Sequence, residues 1–311
     1  MMNNQKEAVL LLTHFLDDHI IQLYRRMEAE AGARDVFILF NKSDDNNPGY
    51  PAPWDARIFA FEEDDLHDLG YPIKGLHIRD VDIELFHFTF QRRHPEYDTI
   101  WTVEYDVDFT GRWGDFFDAF ATNDADLLGT SMHRLEVNPF WANWSSIRAP
   151  DGTPPPSETL IRAFLPLCRL SRRAYDRLDA FYREGWHGHY ECTVPTLLTR
   201  AGLRIEDIGG NGEFVAPGNR NRYYTSNPAT RDLSPGSFVF RPIMTAPGNR
   251  MNTLWHPVKP PMTDYVHGWD TGRLAMLKRR MRALSRRGVA RMGRWMRRSP
   301  PIPPTSMGGP T

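Results

Sequence analysis

The run Thr99-Ile100-Trp101-Thr102-Val103-Glu104-Tyr105-Asp106-Val107-Asp108 most narrows what this chain can become. It opens as a short, apolar, β-favouring segment and ends with three carboxylates at alternate positions. Side chains at i, i+2 and i+4 of a strand share a face. Glu104, Asp106 and Asp108 are therefore expected to converge where a strand runs out into a loop. Like charges held close repel unless something positive sits among them. Oxygen ligands suit Mg²⁺ or Mn²⁺. The alternative is a solvated acidic strand end. The apolar residues before the cluster, and Phe109 after it, favour the cation.

The rest of the first half supplies a frame for such a strand. Ala8 to Thr13 is a continuous apolar run, as in a strand buried on both faces. Ile20, Ile21, Tyr24 and Met27 follow at helical spacing, with Gly32 as a stop. Strands are expected at 35–40 and 57–61, and a polar loop from Asn41 to Tyr50 lies between them. An aromatic-rich helix over 80–93 precedes the fourth strand, Thr99–Val103. A short helix from Trp113 to Phe120 and a strand from Asp126 to Thr130 follow. This rhythm is that of an α/β protein with a mostly parallel sheet. Such sheets bind ligands at the carboxyl ends of their strands, where the carboxylates fall.

The second half is less regular. Leu160, Phe164, Leu167, Leu170, Tyr175, Leu178 and Phe181 predict a long amphipathic helix or helix pair over Ser157–Glu184. A polar loop with Trp186, His187 and His189 then runs into a short helix stopped by Gly202. Residues 209–250, rich in Gly, Asn, Pro and Arg, read as long ordered loops.

The chain has 311 residues, 41% of them hydrophobic and 25% charged, ordinary values for a globular protein. Two cysteines, Cys168 and Cys192, form no framework, point weakly to a reducing compartment and leave a single disulfide open. No run approaches a membrane span, and Ala8–Leu12 is too short for a secretory signal. The net charge of −1 hides an asymmetry. Residues 273–298 hold 11 of the 38 basic residues and no acid, which leaves the remainder at −12.

Two further constellations carry chemistry. Glu191 opens a helix beside aromatic and imidazole groups, as a general base would, or simply as an acid favoured by the helix dipole. His256 suits a cation shell, and Lys259 a phosphate. A His187/His189 zinc pair lacks further ligands at the right spacing. The sequence contains no Walker loop, dinucleotide glycine motif or nucleophile-elbow serine.

Together these pieces resemble a nucleotide-sugar glycosyltransferase of the GT-A fold, over roughly residues 6–262. The resemblance rests on the opening strand-helix-strand, the fourth strand ending in Glu104-Tyr105-Asp106, the loop-helix with Glu191, and Trp255-His256-Pro257-Val258-Lys259. Trp101 to Gly111 with Trp113 also resembles a little-characterised GT-A-like group with a Trp…Glu-x-Asp-Val…Thr-Gly signature. Glu104 stands where the usual motif begins with Asp. The resemblance implies Mn²⁺ or Mg²⁺ held by Glu104, Asp106 and His256. It implies catalytic roles for Glu191 and Asp108, and donor contacts from Thr13, Asp45, Trp186, His189 and Lys259. The implied activity moves a sugar from a nucleotide-diphosphate donor to a glycan or lipid-linked acceptor, inverting if Glu191 is the base. A nucleotidyltransferase and a catalytically silent nucleotide-sugar-binding protein are the rivals.

The expected domains are a catalytic body over 1–272, a basic amphipathic helix over 273–298 and a disordered tail over 299–311. Leu274, Leu277, Met281, Leu284, Met292 and Trp295 give the helix an apolar face, which suits an anionic membrane surface. The alternative is a helix packed on the acidic body. Nucleic acid is not expected as a partner, because the body is acidic and the aromatics do not interleave with the charges. The expected location is cytoplasmic, peripheral on the inner face of the membrane.

Overall fold

The first three strands of the central sheet are β1 (Glu7–Thr13), β2 (Asp35–Asn41) and β3 (Ile58–Phe61). A computed structural model of the chain describes residues 6–44, 50–72 and 82–259. Asp45, the 273–298 segment, the tail and the boundary at 272 lie outside the described residues. Asp17 caps α1 (Asp18–Glu30) by accepting from the Ile20 amide at 2.9 Å, and Gly32, at φ +68°, turns the chain back toward β2. Helices α2 (Glu63–His67) and α3 (Glu84–Arg93) lead to β4 (Thr99–Glu104), which lies beside β1. Residues 80 and 81 of the expected 80–93 helix are outside the described residues.

After β4 come the short strand β5 (Asp108–Phe109), α4 (Trp113–Asp118) and β6 (Leu127–Arg134). They are followed by β7 (Ile161–Ser171), α5 (Arg172–Glu184), α6 (Tyr190–Arg200), β8 (Ile205–Asp207) and β9 (Leu254–Trp255). Seven strands form one sheet in the order β3-β2-β1-β4-β7-β6-β8. Strands β1 to β4 pair in parallel, as do β6 and β8; β7 runs against both its neighbours. The sheet is thus mixed and mostly parallel, as the strand-helix rhythm implied.

Alternation along β4 builds two cores. Trp101, on one face, meets Phe116 and Phe117 of α4 at ring distances of 5.6 and 5.2 Å. On the other face Leu10, Leu12 and Ile100 join Phe86 and Phe90 of α3, Tyr175 and Leu178 of α5, and Leu197 of α6. Helices on both faces are what a largely parallel sheet requires.

The expected helix over Ser157–Glu184 is corrected in its first half: Ile161–Ser171 is a strand, and only α5 is helical. Strand β7 is buried on both faces along ten of its eleven residues, so its apolar residues need not alternate. Their spacing therefore coincides with a helical stripe. Pro166 opposes a helix interior there, and it falls between the paired positions Phe164 and Leu167. Ser171 ends the strand by capping α5, its hydroxyl accepting from the Ala174 amide at 3.0 Å.

The irregular segment after β8 is ordered by Asp207. Its buried carboxylate accepts from the amides of Met132 (2.8 Å), Gly209 and Gly210 (both 3.0 Å), and from the Tyr224 hydroxyl. Next to Tyr224, the Tyr223 carbonyl accepts from Leu254 at 2.7 Å and so delivers β9 to the front of β4. Among the described residues no helix is long and apolar enough to cross a membrane.

Candidate metal centre

Strand β4 ends in a tight turn. The Tyr105 amide donates to the Leu12 carbonyl (3.0 Å) and the Val107 amide to that of Glu104 (3.0 Å), so the chain reverses over the carboxyl end of the sheet. Strand β5 then pairs antiparallel with β9, Asp108 opposite Trp255 and Phe109 opposite Leu254. The pairing continues beyond the ribbon, where the Val258 amide donates to the Asp106 carbonyl at 2.8 Å. These bonds bring His256 and Lys259 to Asp106 across about 150 residues of sequence. Phe109 anchors the ribbon from below against Trp113 and Phe116.

Ligand atoms of Glu104, Asp106 and His256 all lie within 4.8 Å of one another. His256 Nδ1 donates to the Val239 carbonyl at 2.8 Å, which leaves Nε2 facing Asp106 Oδ1 at 3.4 Å. That separation is too long for a good hydrogen bond. It matches the roughly 3.0–3.4 Å between two ligands that share a cation at about 2.1 Å. Asp106 Oδ1 is buried and has no hydrogen-bond partner among the described residues. A buried carboxylate oxygen in that state is costly, and a cation would satisfy it. Lys259 Nζ stands 3.4 Å from Asp106 Oδ2 and 5.4 Å from the Tyr105 ring centre. The donor set fits Mn²⁺ or Mg²⁺, the imidazole favouring Mn²⁺.

The electrostatics record the crowding of like charges. Burial pushes the Glu104 carboxyl up to about 7, and the Asp106 charge adds to it. Burial would raise Asp106 as well, but His256 and Lys259 outweigh it and hold Asp106 below the usual carboxylate range. For His256, burial opposes the charged form and the two carboxylates overcome it, so its pKa rises.

Glu191 lies at the start of α6, near enough for its charge to raise Glu104 further. Its Oε2 accepts from Arg162 Nε at 3.0 Å, with Nη2 at 2.9 Å, in a buried pair. Arg162 also lies over the Trp141 ring at 4.3 Å. His189 caps α6, Nδ1 accepting from the Glu191 amide at 3.3 Å, and its ring stacks on Tyr190 and meets Trp141 edge-on. Glu191, His189, Arg162 and Trp141 thus form a second polar group beside the cation cluster. Arg162 and Trp141 were not singled out in the sequence, where the segment holding Arg162 reads as part of an amphipathic helix.

The remaining candidates are placed elsewhere. Asp108 accepts from Arg26 Nη1 at 2.8 Å and lines a cavity of about 180 Å³ between α1 and the β4–β5 turn. Thr13, at the end of β1, turns its hydroxyl onto the Phe15 carbonyl at 2.8 Å. Trp186 is buried in the core beneath α5, 6.0 Å from Phe181 and under the Arg200 guanidinium.

The raised pKa of Glu104 sets a pH dependence. The folded protein holds the Glu104 proton at pH values where the unfolded chain has lost it. Stability from this group is therefore full below about 4.5 and is lost as pH rises through about 7. His256, also raised, loses its contribution above its unfolded value of 6.5. Relative to Glu104→Gln, the cation-free protein should lose urea-midpoint stability between pH 4.5 and 7. A difference that is flat or rises across that window would contradict the shift.

No family model and no curated protein matches the chain. Among solved structures it is similar to nucleotidyltransferases and glycosyltransferases. A 4-diphosphocytidyl-2C-methyl-D-erythritol synthase from Anaerococcus prevotii is 8% identical, with a TM-score of 0.37 over 68% of this chain and 91% of that one. The galactosyltransferase LgtC, in complex with donor and acceptor sugar analogues, is 12% identical, with a TM-score of 0.33 over 65% of this chain and 73% of that one. An inositol-1-phosphate CTP transferase from T. maritima is 9% identical, with a TM-score of 0.37 over 67% and 86%.

Proposed function

We propose that the protein is a metal-dependent glycosyltransferase that moves a sugar from a nucleoside-diphosphate donor to a carbohydrate or lipid-linked acceptor. The observation that carries this reading is the convergence of Glu104, Asp106 and His256 at the carboxyl end of β4, with an orphaned carboxylate oxygen among them. Those three residues would hold Mn²⁺ or Mg²⁺, which when bound supplies Lewis-acid neutralisation of the leaving diphosphate. Lys259, beside the cluster, adds positive charge for the same diphosphate. Glu191 accepts the proton of the acceptor hydroxyl, whose oxygen forms a bond to the anomeric carbon as the bond to the diphosphate breaks. Arg162 fixes the Glu191 carboxylate, and His189 and Trp141 border it.

The second reading is a silent nucleotide-sugar-binding protein. The Arg162 guanidinium favours it, because it occupies an oxygen of the carboxylate that would serve as base. Donor hydrolysis with Mn²⁺ separates the readings, because a silent binding protein shows none, and two variants test the first. Asp106→Asn should abolish cation-dependent binding of a nucleoside diphosphate in calorimetry. Glu191→Gln should leave that binding intact and lower sugar-transfer or donor-hydrolysis turnover by about 10² or more. Equal affinity in EDTA would remove the cation from the account, and unchanged turnover in Glu191→Gln would remove the base.

The lipid-linked acceptor and the peripheral location rest on residues 273–298, which carry eleven basic residues and an apolar pattern. The protein should sediment with anionic liposomes at low salt and release as salt shortens the Debye length. Liposomes that leave it in the supernatant at low salt would end this part of the reading.

A further inference from the structure

Behind the cation cluster, on the sheet face covered by α3 and α6, lies a small cavity of about 10 Å³. Its polar lining comes from Glu84 and His87 of α3, Thr102 and Glu104 of β4, Cys168 of β7 and Tyr190 of α6. Thr102 and Glu104 share this face because they are two residues apart on one strand. Two buried atoms of the lining, Glu84 Oε2 and Thr102 Oγ1, have no hydrogen-bond partner among the described residues. Such atoms are rare in folded proteins, and two in one cavity call for a shared explanation.

Glu84 is only 3% exposed, and its Oε1 accepts from the buried Tyr182 hydroxyl at 2.8 Å. Burial, with the nearby Asp82 charge, pushes its carboxyl well above the usual range, so Glu84 is a neutral acid. With Oε1 engaged as an acceptor, the acid proton belongs on Oε2. The cavity volume matches the roughly 10–15 Å³ that one water molecule needs, and such waters typically make about three hydrogen bonds.

We propose that this cavity binds one structural water that joins Glu84 Oε2 and Thr102 Oγ1 to the inner side of Glu104, making Glu84 a positioning residue for the cation ligand. With Glu104 ionised, as a cation ligand must be, the water accepts from the Glu84 and Thr102 hydroxyl groups and donates one of its hydrogens to the Glu104 carboxylate. Glu104 is then held from behind, and its outer side faces Asp106 and His256. Support of this kind for a ligating carboxylate is typically worth 10- to 100-fold in metal affinity. The proposal rests on Glu104 being a cation ligand.

The test is Mn²⁺ binding to the full chain without nucleotide, read by the electron paramagnetic resonance of free Mn²⁺, with melting temperature alongside. Glu84→Gln keeps a donor and the side-chain volume and should bind within about threefold of wild type. Glu84→Leu removes the donor and should weaken binding about tenfold or more. Thr102→Val, which deletes only the hydroxyl, should weaken it in the same direction and serves if Glu84→Leu does not fold. Wild-type affinity in a folded Glu84→Leu or Thr102→Val overturns the proposal. So does equal weakening in Glu84→Gln and Glu84→Leu, which marks a packing effect. If the wild-type protein binds no Mn²⁺, the cation reading itself fails and takes the positioning role with it. Failure of the proposal alone shows as wild-type binding that Glu104→Gln abolishes and Glu84→Leu leaves intact.

Discussion

The pairing of residues 106–109 with 254–258 is the constraint on which the site depends. Asp106 alone at the end of β4 would be one acid in a turn. The Val258–Asp106 backbone bond and the two β5–β9 pairs set His256 and Lys259 against it. The same bonds bury Asp106, so that its charge is worth far more than it would be in water. The rest of the chain serves that pairing. Asp207 orders the loop through Tyr224, Tyr223 passes that order to Leu254, and Phe109 seats the ribbon on the aromatic cluster of α4.

The cluster also explains a tension within the first motif. Two carboxylates, one at the end of β4 and one in the turn after it, crowd together, and with one partly neutralised by a histidine and a lysine they push the proton onto the other. Glu104 takes it and Asp106 stays charged. A divalent cation removes the conflict by favouring both ionised forms. The structure therefore holds a charge arrangement that is poor by itself and sound around a cation.

Much of this was legible before the fold was known, for local reasons. The apolar runs of β1, β2 and β4 read as buried strands because a parallel strand covered on both faces has little choice of residue. Gly32 and Gly202 read as helix stops because the left-handed turns they make suit glycine, and both have positive φ. What failed was β7. A strand buried on both faces loses its alternation, and Leu160, Phe164, Leu167 and Leu170 happen to fall at helical spacing. Reading them as a helix left Arg162 and Arg169 without a role. Arg162 instead pairs with Glu191, and Arg169 donates to the carbonyls of Phe120, Asn123 and Ala125. The residue types of the cation cluster were visible, whereas the contact of Asp106 with His256 was implied only by the resemblance to GT-A glycosyltransferases. It depends on a backbone ladder between segments about 150 residues apart, and no local pattern encodes that register.

The most direct test of the account is a crystal of the protein soaked with Mn²⁺ and a nucleoside diphosphate, read by anomalous scattering at the manganese edge. The account predicts one strong peak at about 2.0–2.3 Å from a carboxylate oxygen of Asp106 and from His256 Nε2, with Glu104 in the same shell. A peak at another site, or an occupied nucleotide with no manganese among these three side chains, would contradict it.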